Sequence, residues 1–185
     1  MVRRIRLYGD PVLRQKATPV RQFDDELRRL AADMLETMRA EDGIGLAAQQ
    51  IGETRAIFVL DVPEPSDRDE TGARLNPEVP MPLVVINPRL RSASPKKASY
   101  EEGCLSLPEI RARIERPVEI TLEWEDLDGR THEKRLRGLV ARAAQHELDH
   151  LNGVLIVDRM SPVKRVALRN RLRQLREEGL AHAAT

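Results

Sequence analysis

The chain has 185 residues, a length typical of one domain with a complete hydrophobic core. Hydrophobic residues make up 41% and charged residues 33%, and the net charge of +1 excludes a whole-protein electrostatic field for nucleic acid. No apolar run approaches the roughly 20 residues of a membrane span, and Met1-Val2-Arg3-Arg4-Ile5-Arg6 lacks the apolar segment of a secretory signal. The sequence therefore predicts a cytoplasmic protein.

The first half of the chain predicts one helix and two strands. Residues 1–22 are expected to be extended, with a turn at Gly9-Asp10-Pro11, and Asp24 or Asp25 caps a helix that runs to about Ala40. A glycine-rich segment follows at 43–52. Residues 55–62 indicate a buried strand, 63–82 an exposed and mobile loop, and 83–86 a strand stopped by Asn87-Pro88.

The second half predicts a hairpin and two helices. Residues 117–125 alternate apolar and polar side chains as a half-buried strand does, and Asp128-Gly129 turns the chain into a returning strand at 131–137. A largely buried helix is expected at 138–151, ended by Asn152-Gly153, and a last helix from Ser161-Pro162 to about Glu178. Segregated helices and strands indicate an α+β fold, here a single domain over 1–185 with a C-terminal helix and tail at 162–185.

The segment His146-Glu147-Leu148-Asp149-His150 carries the strongest chemical signal. Helical positions i and i+4 lie on one face, so both imidazoles can bind one metal ion, and Glu147 is near enough to act on a metal-bound water. Two histidines at this spacing also occur by chance on helix surfaces and in cores. The buried helix predicted around them favours the metal site of a hydrolase.

A catalytic metal commonly takes three protein ligands and leaves one position open. The third ligand could be Cys, His, Asp or Glu, and Glu102 and Asp149 are candidates beside the only thiol, Cys104. A lone cysteine is by default an inert buried residue and excludes intramolecular disulfides and cysteine-rich zinc modules. A thiolate is nevertheless a strong ligand for zinc or ferrous iron.

The glycine-rich segment Gly43-Ile44-Gly45-Leu46-Ala47-Ala48-Gln49-Gln50 allows more than one interpretation. It could be only a tight, closely packed turn, and as a dinucleotide loop it lacks the third glycine and a preceding strand. Its glycines would let backbone approach a substrate closely, and the amide of Gln50 could donate to an oxyanion.

Together, three segments resemble the motifs of the peptide deformylases, in the right order. The chain contains GxGxAAxQ at 43–50, EGCLS at 102–106 and QHExDH at 145–150, all complete. The flanks also match, through Gly9-Asp10-Pro11-Val12-Leu13-Arg14 and the closing helix of the bacterial form. The resemblance implies antiparallel sheets packed around a central metal-binding helix, with an N-terminal and a C-terminal helix.

The resemblance also implies an activity and a role for individual residues. The activity is removal of the N-formyl group from the formylmethionine of nascent chains. Cys104, His146 and His150 would hold one divalent metal ion, typically Fe²⁺, with Zn²⁺, Ni²⁺ or Co²⁺ able to replace it. Glu147 would be general base and then acid, and Gln50 and the N–H of Leu105 would hold the oxyanion. Substrate would be bound by Ile44, Gly45, Gly103, Arg111, Leu139, Arg142 and Ala143.

Several of these expectations have alternatives. Arg142 departs from an otherwise apolar pocket and is expected to extend its charge to solvent or face outward. Glu102 is either a brace for the metal site or a surface carboxylate. The basic residues of the last helix are either a solvated face or a contact with the ribosome.

Three rival functions remain open from the sequence. A zinc endopeptidase would leave the EGCLS and glycine motifs unexplained. A ribosome- or RNA-associated module with a decayed site would not need the intact ligands. A deformylase of other formylated amines would carry the same core motifs. No specific nucleic-acid site and no membrane association are expected.

Overall fold

The computed structural model describes residues 1–183 and has an α+β architecture with antiparallel strands. Its helices are α1 (Asp25–Ala40), α2 (Gly138–Leu151), α3 (Ile156–Arg159), α4 (Pro162–Ala167) and α5 (Arg169–Ala183). Its strands are β1 (Gly45–Ala47), β2 (Ile57–Leu60), β3 (Leu83–Ala93), β4 (Lys97–Cys104), β5 (Leu107–Pro117), β6 (Glu119–Glu125) and β7 (Thr131–Arg137). Short 3-10 helices lie at Pro11–Arg14, Ala48–Ile51 and Glu64–Ser66.

The strands form two antiparallel sheets. The larger sheet has the order β1-β2-β3-β6-β7, so that β1 is an edge strand, and the smaller sheet is the β4–β5 hairpin. Helix α2 packs on the larger sheet through Val140, Ala141 and Ala144, and it also contacts β5 of the hairpin. The predicted central helix therefore lies between the two sheets, where side chains on more than one of its faces are buried.

Local sequence explains where α1 begins and where α2 ends. The Asp24 side chain accepts a hydrogen bond from the N–H of Leu27, which caps α1 at the predicted position. Helix α2 ends at Leu151 with Asn152 as its C-cap, and Gly153 follows with a φ of 71°, a left-handed conformation that favours glycine.

Two predicted elements were wrong in extent, and one hairpin was missed. Strand β3 does not stop at Asn87-Pro88 but continues to Ala93, with register irregularities against β6. The β4–β5 hairpin was not predicted, although side chains alternate between exposed and buried from Glu109 to Arg116. The last helix is interrupted at Leu168, which divides it into α4 and α5, and α5 continues to Ala183.

The 63–82 loop is less exposed than predicted. Asp67 and Asn76 are each 3% exposed, and Val79 is buried in the core beneath the sheet. The Asn76 amide donates to the carbonyl of Arg137 and its oxygen accepts from the N–H of Arg137. Buried polar groups need hydrogen-bond partners, and Asn76 finds them on Arg137. The loop is therefore attached to the residue that precedes α2.

Helix α5 packs against the start of the chain. Leu172 and Leu175 are buried in a cluster with Leu13 and the inner face of β5. At Gly179 the helix approaches the backbone carbonyls of Leu7 and Tyr8 so closely that any side chain would collide with them. Residues 184 and 185 of the predicted C-terminal tail lie outside the described residues. Within 1–183, no helix is both long enough and apolar enough to span a bilayer.

Candidate metal centre

Two elements bring three potential metal ligands together. Cys104 ends β4, while His146 and His150 lie on the same face of α2, as their spacing predicts. One ligand atom from each residue lies within 4.8 Å of the others, and the Cys104 Sγ is 3.3 Å from the His150 Nε2. A thiolate with two imidazoles is a donor set that suits zinc or ferrous iron, so these residues could hold such an ion.

Glu102 fixes the orientation of one of these histidines. Its Oε2 atom lies 3.1 Å from the Nδ1 of His146, which leaves Nε2 of the ring for a metal ion. Burial acts to raise the pKa of Glu102, but the contacts with His146 and Arg116 outweigh it and lower the pKa to about 2. Glu102 is thus a buried, ionised carboxylate and not a surface residue.

Two arginines donate hydrogen bonds to Glu102. Arg116 donates to both of its oxygens at 2.7 and 3.0 Å and also to Asp149 at 2.8 Å. Arg142 donates to Glu102 at 2.6 Å and to the carbonyls of Ala98 and Ile114. The expectation that Arg142 extends its charge to solvent or faces outward was wrong. Its side chain is buried because acceptors on the β4–β5 hairpin satisfy the guanidinium.

The carboxyl group of Glu147 is the most unusual ionisable group of the site. The residue is 4% exposed, and its buried Oε2 has no hydrogen-bond partner within residues 1–183. Burial raises its pKa from 4.5 to about 7, against the opposing influence of His146 and Arg116. A carboxyl group of this pKa can exchange a proton near neutral pH, as a general acid–base catalyst must.

Two hydrogen-bond donors, the Gln50 amide and the Leu105 N–H, lie next to Cys104. The Gln50 Oε1 accepts from the N–H of Ala47 at 2.9 Å, which directs its Nε2 toward the Cys104 Sγ at 3.6 Å and the Ser106 Oγ at 3.3 Å. None of the hydrogen bonds described for residues 1–183 uses the N–H of Leu105. The Gln50 amide therefore lies beside the Cys104 thiol, and the Leu105 N–H is left for an acceptor from outside residues 1–183.

An open cavity of about 570 Å³ contains nearly all the residues singled out in the sequence. Only His150, which is fully buried behind it, does not line this cavity. The lining includes Ile44, Gly45, Gln50, Gly103, Cys104, Leu105, Arg111, Leu139, Arg142, Ala143, His146 and Glu147. The cavity thus joins the three motif segments at one place.

The sequence reasoning missed Arg116, the acceptance of a hydrogen bond from Gln50 by Ser106, and the acidic residues Glu41, Asp42, Glu101 and Glu109 that line the cavity. Arg116 follows Ile110, Ala112 and Ile114 at a spacing of two, all on the buried face of β5. An arginine in phase with inward-facing residues of a strand indicates a buried cation that needs an acidic partner. That signal was present in the sequence.

Comparison with known proteins gives one consistent result. The family model of polypeptide deformylase matches residues 2–166. A peptide deformylase of Novosphingobium aromaticivorans is 43% identical over 184 residues, covering 95% of this chain and 98% of the relative. One of Thermotoga neapolitana is 46% identical over 169 residues, covering 91% and 93% respectively.

Solved structures agree with the sequence relatives. The crystal structure of peptide deformylase from Thermotoga maritima has a TM-score of 0.76 and 43% identity, covering 88% of this chain and 99% of that one. The enzyme from Ehrlichia chaffeensis has a TM-score of 0.84 and 34% identity, covering 97% and 99%. From its motifs, its fold and these relatives, the chain belongs to the polypeptide deformylase family of metal-dependent hydrolases.

Proposed function

We propose that this enzyme hydrolyses the N-formyl group of formylmethionine at the start of newly made peptides, in the cytoplasm, with 1–185 acting as one catalytic domain. The reaction takes one water and releases formate and a free amine. The observation that carries the proposal is the position of Glu147. It is a buried carboxyl group with a raised pKa, in a cavity that Cys104, His146, Gln50 and Leu105 also line.

Each residue of the site has a distinct role in this proposal. A divalent ion held by Cys104, His146 and His150 would supply Lewis-acid activation of water and of the formyl carbonyl. Glu147 accepts a proton from the attacking water and later delivers it to the departing amine. Gln50 Nε2 and the Leu105 N–H donate to the formyl oxygen as it gains negative charge.

The shape of the cavity supports methionine as the first residue. Ile44, Leu139 and Ala143 give apolar walls, against which an unbranched thioether packs well. Gly45 belongs to the edge strand β1, whose unpaired side is available to the main chain of a bound peptide. Arg111 and Gly103 border the same path and are proposed to contact the peptide backbone.

Ferrous iron is proposed as the physiological metal, with zinc, nickel or cobalt able to replace it. The thiolate and the two imidazoles suit several of these ions. Iron is easily lost to oxidation, so the metal must be controlled in any assay of activity.

Formate release from a formyl-Met-Ala-Ser peptide tests the proposal. We expect rapid release by protein loaded anaerobically with iron, and little by the metal-free protein. An unformylated peptide with internal bonds serves as the control, because a zinc endopeptidase would cleave it. Internal cleavage without formate release would replace the proposal with that rival function. Release from formylated amines but not from the peptide would instead indicate a different substrate.

We also propose that the basic residues of α4 and α5 contact the ribosome. Lys164, Arg169 and Arg173 are exposed, and none of them has an ion-pair partner among residues 1–183. Deleting 162–185 would expose the core beneath Leu172 and Leu175, so replacing these three residues by glutamine is the cleaner test. Binding to ribosomes should weaken with salt and with the substitutions. Binding that responds to neither would exclude this surface.

A further inference from the structure

The start of α2 is held by a side chain from a distant segment of the chain. Asn76, in the 63–82 loop, donates from its amide to the carbonyl of Arg137 at 3.1 Å, and its Oδ1 accepts from the N–H of Arg137 at 2.9 Å. The side chain of Arg137 itself makes no capping hydrogen bond to the helix. The position at which α2 begins is therefore fixed by two hydrogen bonds from the loop.

Two neighbouring contacts make this attachment rigid. The buried carboxylate of Asp67 accepts from the side-chain amide of Asn76 and, at 3.3 Å, from its backbone N–H. Leu75 packs on Gly138, where an added Cβ atom would lie only 2.7 Å from the Leu75 Cδ1. Asn76 cannot rotate away without leaving a buried carboxylate short of a hydrogen bond. The loop and the first turn of α2 are thus fixed to one another.

The first turns of α2 also form part of the candidate active-site cavity. Leu139, which directly follows Gly138, lines this cavity together with Ala143, and both give it apolar surface. Among the described residues that line the cavity, none belongs to 63–82. His146 lies eight residues beyond Gly138, which corresponds to about 12 Å along the helix. A change in the loop therefore acts on the cavity through α2, and it reaches the apolar wall before the potential metal ligands.

We propose that Asn76 and Leu75 are positioning residues, which hold the first turn of α2 so that Leu139 and Ala143 form a closely fitting wall for the methionine side chain. This inference rests on the proposed function. An apolar pocket discriminates between side chains by the fit of its walls, and one methylene group changes kcat/KM by roughly 10- to 200-fold. A wall that is free to shift loses part of this preference for methionine.

Two peptides, formyl-Met-Ala-Ser and formyl-Ala-Ala-Ser, test the fit of the wall in iron-loaded protein. The variant Asn76→Ala removes both hydrogen bonds to Arg137. We expect its methionine-to-alanine ratio of kcat/KM to fall by about threefold to tenfold, mainly through a higher KM for the methionine peptide. Its kcat and its metal occupancy should change by less than about twofold, because Glu147 and the potential ligands lie further along the helix.

A role of Asn76 in stability alone would give a different result. Its removal leaves the Asp67 carboxylate and the backbone of Arg137 without these partners, which destabilises the folded state. Unfolded molecules lower the apparent kcat for both peptides equally, and they leave KM and the methionine-to-alanine ratio unchanged. The ratio therefore separates positioning of the wall from stability.

A second variant and a matched control identify the contacts responsible. Leu75→Ala removes the packing on Gly138 while every hydrogen bond of Asn76 remains, and it should lower the methionine-to-alanine ratio in the same direction. Glu70→Ala is the control, because Glu70 is exposed in the same loop and none of the hydrogen bonds or ion pairs described for residues 1–183 involves its side chain. The control should keep the ratio of the unmodified enzyme.

The outcomes distinguish this inference from the proposed function. A ratio unchanged in Asn76→Ala would overturn the inference while leaving deformylation intact, and a ratio unchanged only in Leu75→Ala would remove Leu75 from the positioning residues. If the unmodified protein hydrolyses neither peptide, the proposed function fails and amide hydrogen exchange, followed by NMR, decides. Exchange that Asn76→Ala accelerates more in 142–145 than in 146–151 would support the positioning role, and equal effects on both segments would overturn it.

Discussion

Glu147 packs its carboxylate directly against the backbone of Gly45, so that a Cβ atom on Gly45 would collide with it. The two residues are about a hundred positions apart in sequence, one on the edge strand β1 and the other on the central helix α2. The absence of a side chain at Gly45 therefore lets the glycine-rich segment lie directly against this buried carboxyl group. It also makes the position of Glu147 sensitive to a single added methyl group.

Gly45→Ala should therefore lower kcat by about a hundredfold, because displacing a catalytic group by about 1 Å has effects of that size. Stopped assays of formate release on iron-loaded protein measure it. Gly72→Asn is a suitable control, since a side chain at Gly72 meets nothing within 4 Å and asparagine tolerates its φ of 83°. Unchanged kcat in Gly45→Ala would mean that Glu147 does not act from its observed position.

Replacing a proposed metal ligand should change metal binding, whereas replacing the proposed general base, Glu147, should change turnover. Cys104→Ser or His150→Ala should weaken zinc binding by more than about a hundredfold, beyond the range typical of residues that only support a ligand. Glu147→Gln should keep its metal and lose formate release by about a hundredfold or more. Elemental analysis after dialysis measures occupancy. Full occupancy in Cys104→Ser would remove Cys104 from the ligand set.

The buried Glu147 should reduce the stability of the metal-free protein at neutral and higher pH. Its pKa is about 7 when folded and about 4.5 when unfolded. The unfolded chain therefore loses its proton first, and stability decreases as pH rises from about 4.5 to 7. Glu147→Gln should remove this loss and stabilise the metal-free protein by up to about 3 kcal/mol at pH 8. Denaturant unfolding at pH 5 and pH 8 measures it, and equal stabilisation at both would contradict the cause given.

Glu102 should act with the opposite sign, because its pKa falls from 4.5 to about 2 on folding. Its stabilisation of the metal-free protein is complete above about pH 4.5 and disappears as pH falls toward 2. The contribution is about 3 kcal/mol or less. Glu102→Gln should reduce the decrease in the free energy of unfolding at acid pH. At neutral pH it should leave Arg116 and Arg142 without their shared acidic partner. Glu115→Gln, at an exposed position, should change neither the loss of stability at acid pH nor the stability at neutral pH. If Glu102→Gln lost stability at acid pH as the unmodified protein does, that loss would have to come from other carboxyl groups.

Much of the fold and of the candidate site could be predicted from the sequence, because the relevant patterns are local. The helical spacing of His146 and His150, the cap at Asp24 and the stop at Asn152-Gly153 each depend on a few neighbouring residues. The hairpin that carries Cys104 also has a local signal, the alternation along β5. It was missed because its exposed positions are densely charged and its first residues resemble a turn.

The sequence by itself determined the α+β class, the helix with both imidazoles on one face, and the three motif segments that the family shares. Only the tertiary structure decided that Glu102 contacts the ring of His146 and that Arg116 and Arg142 donate hydrogen bonds to Glu102. It also decided that Arg142 faces inward and that the carboxyl group of Glu147 is buried against Gly45. The physical reason is the separation in sequence over which each kind of interaction acts. Helical periodicity and capping act within a few residues, whereas the burial and pairing of a charge depend on segments that are distant in the chain.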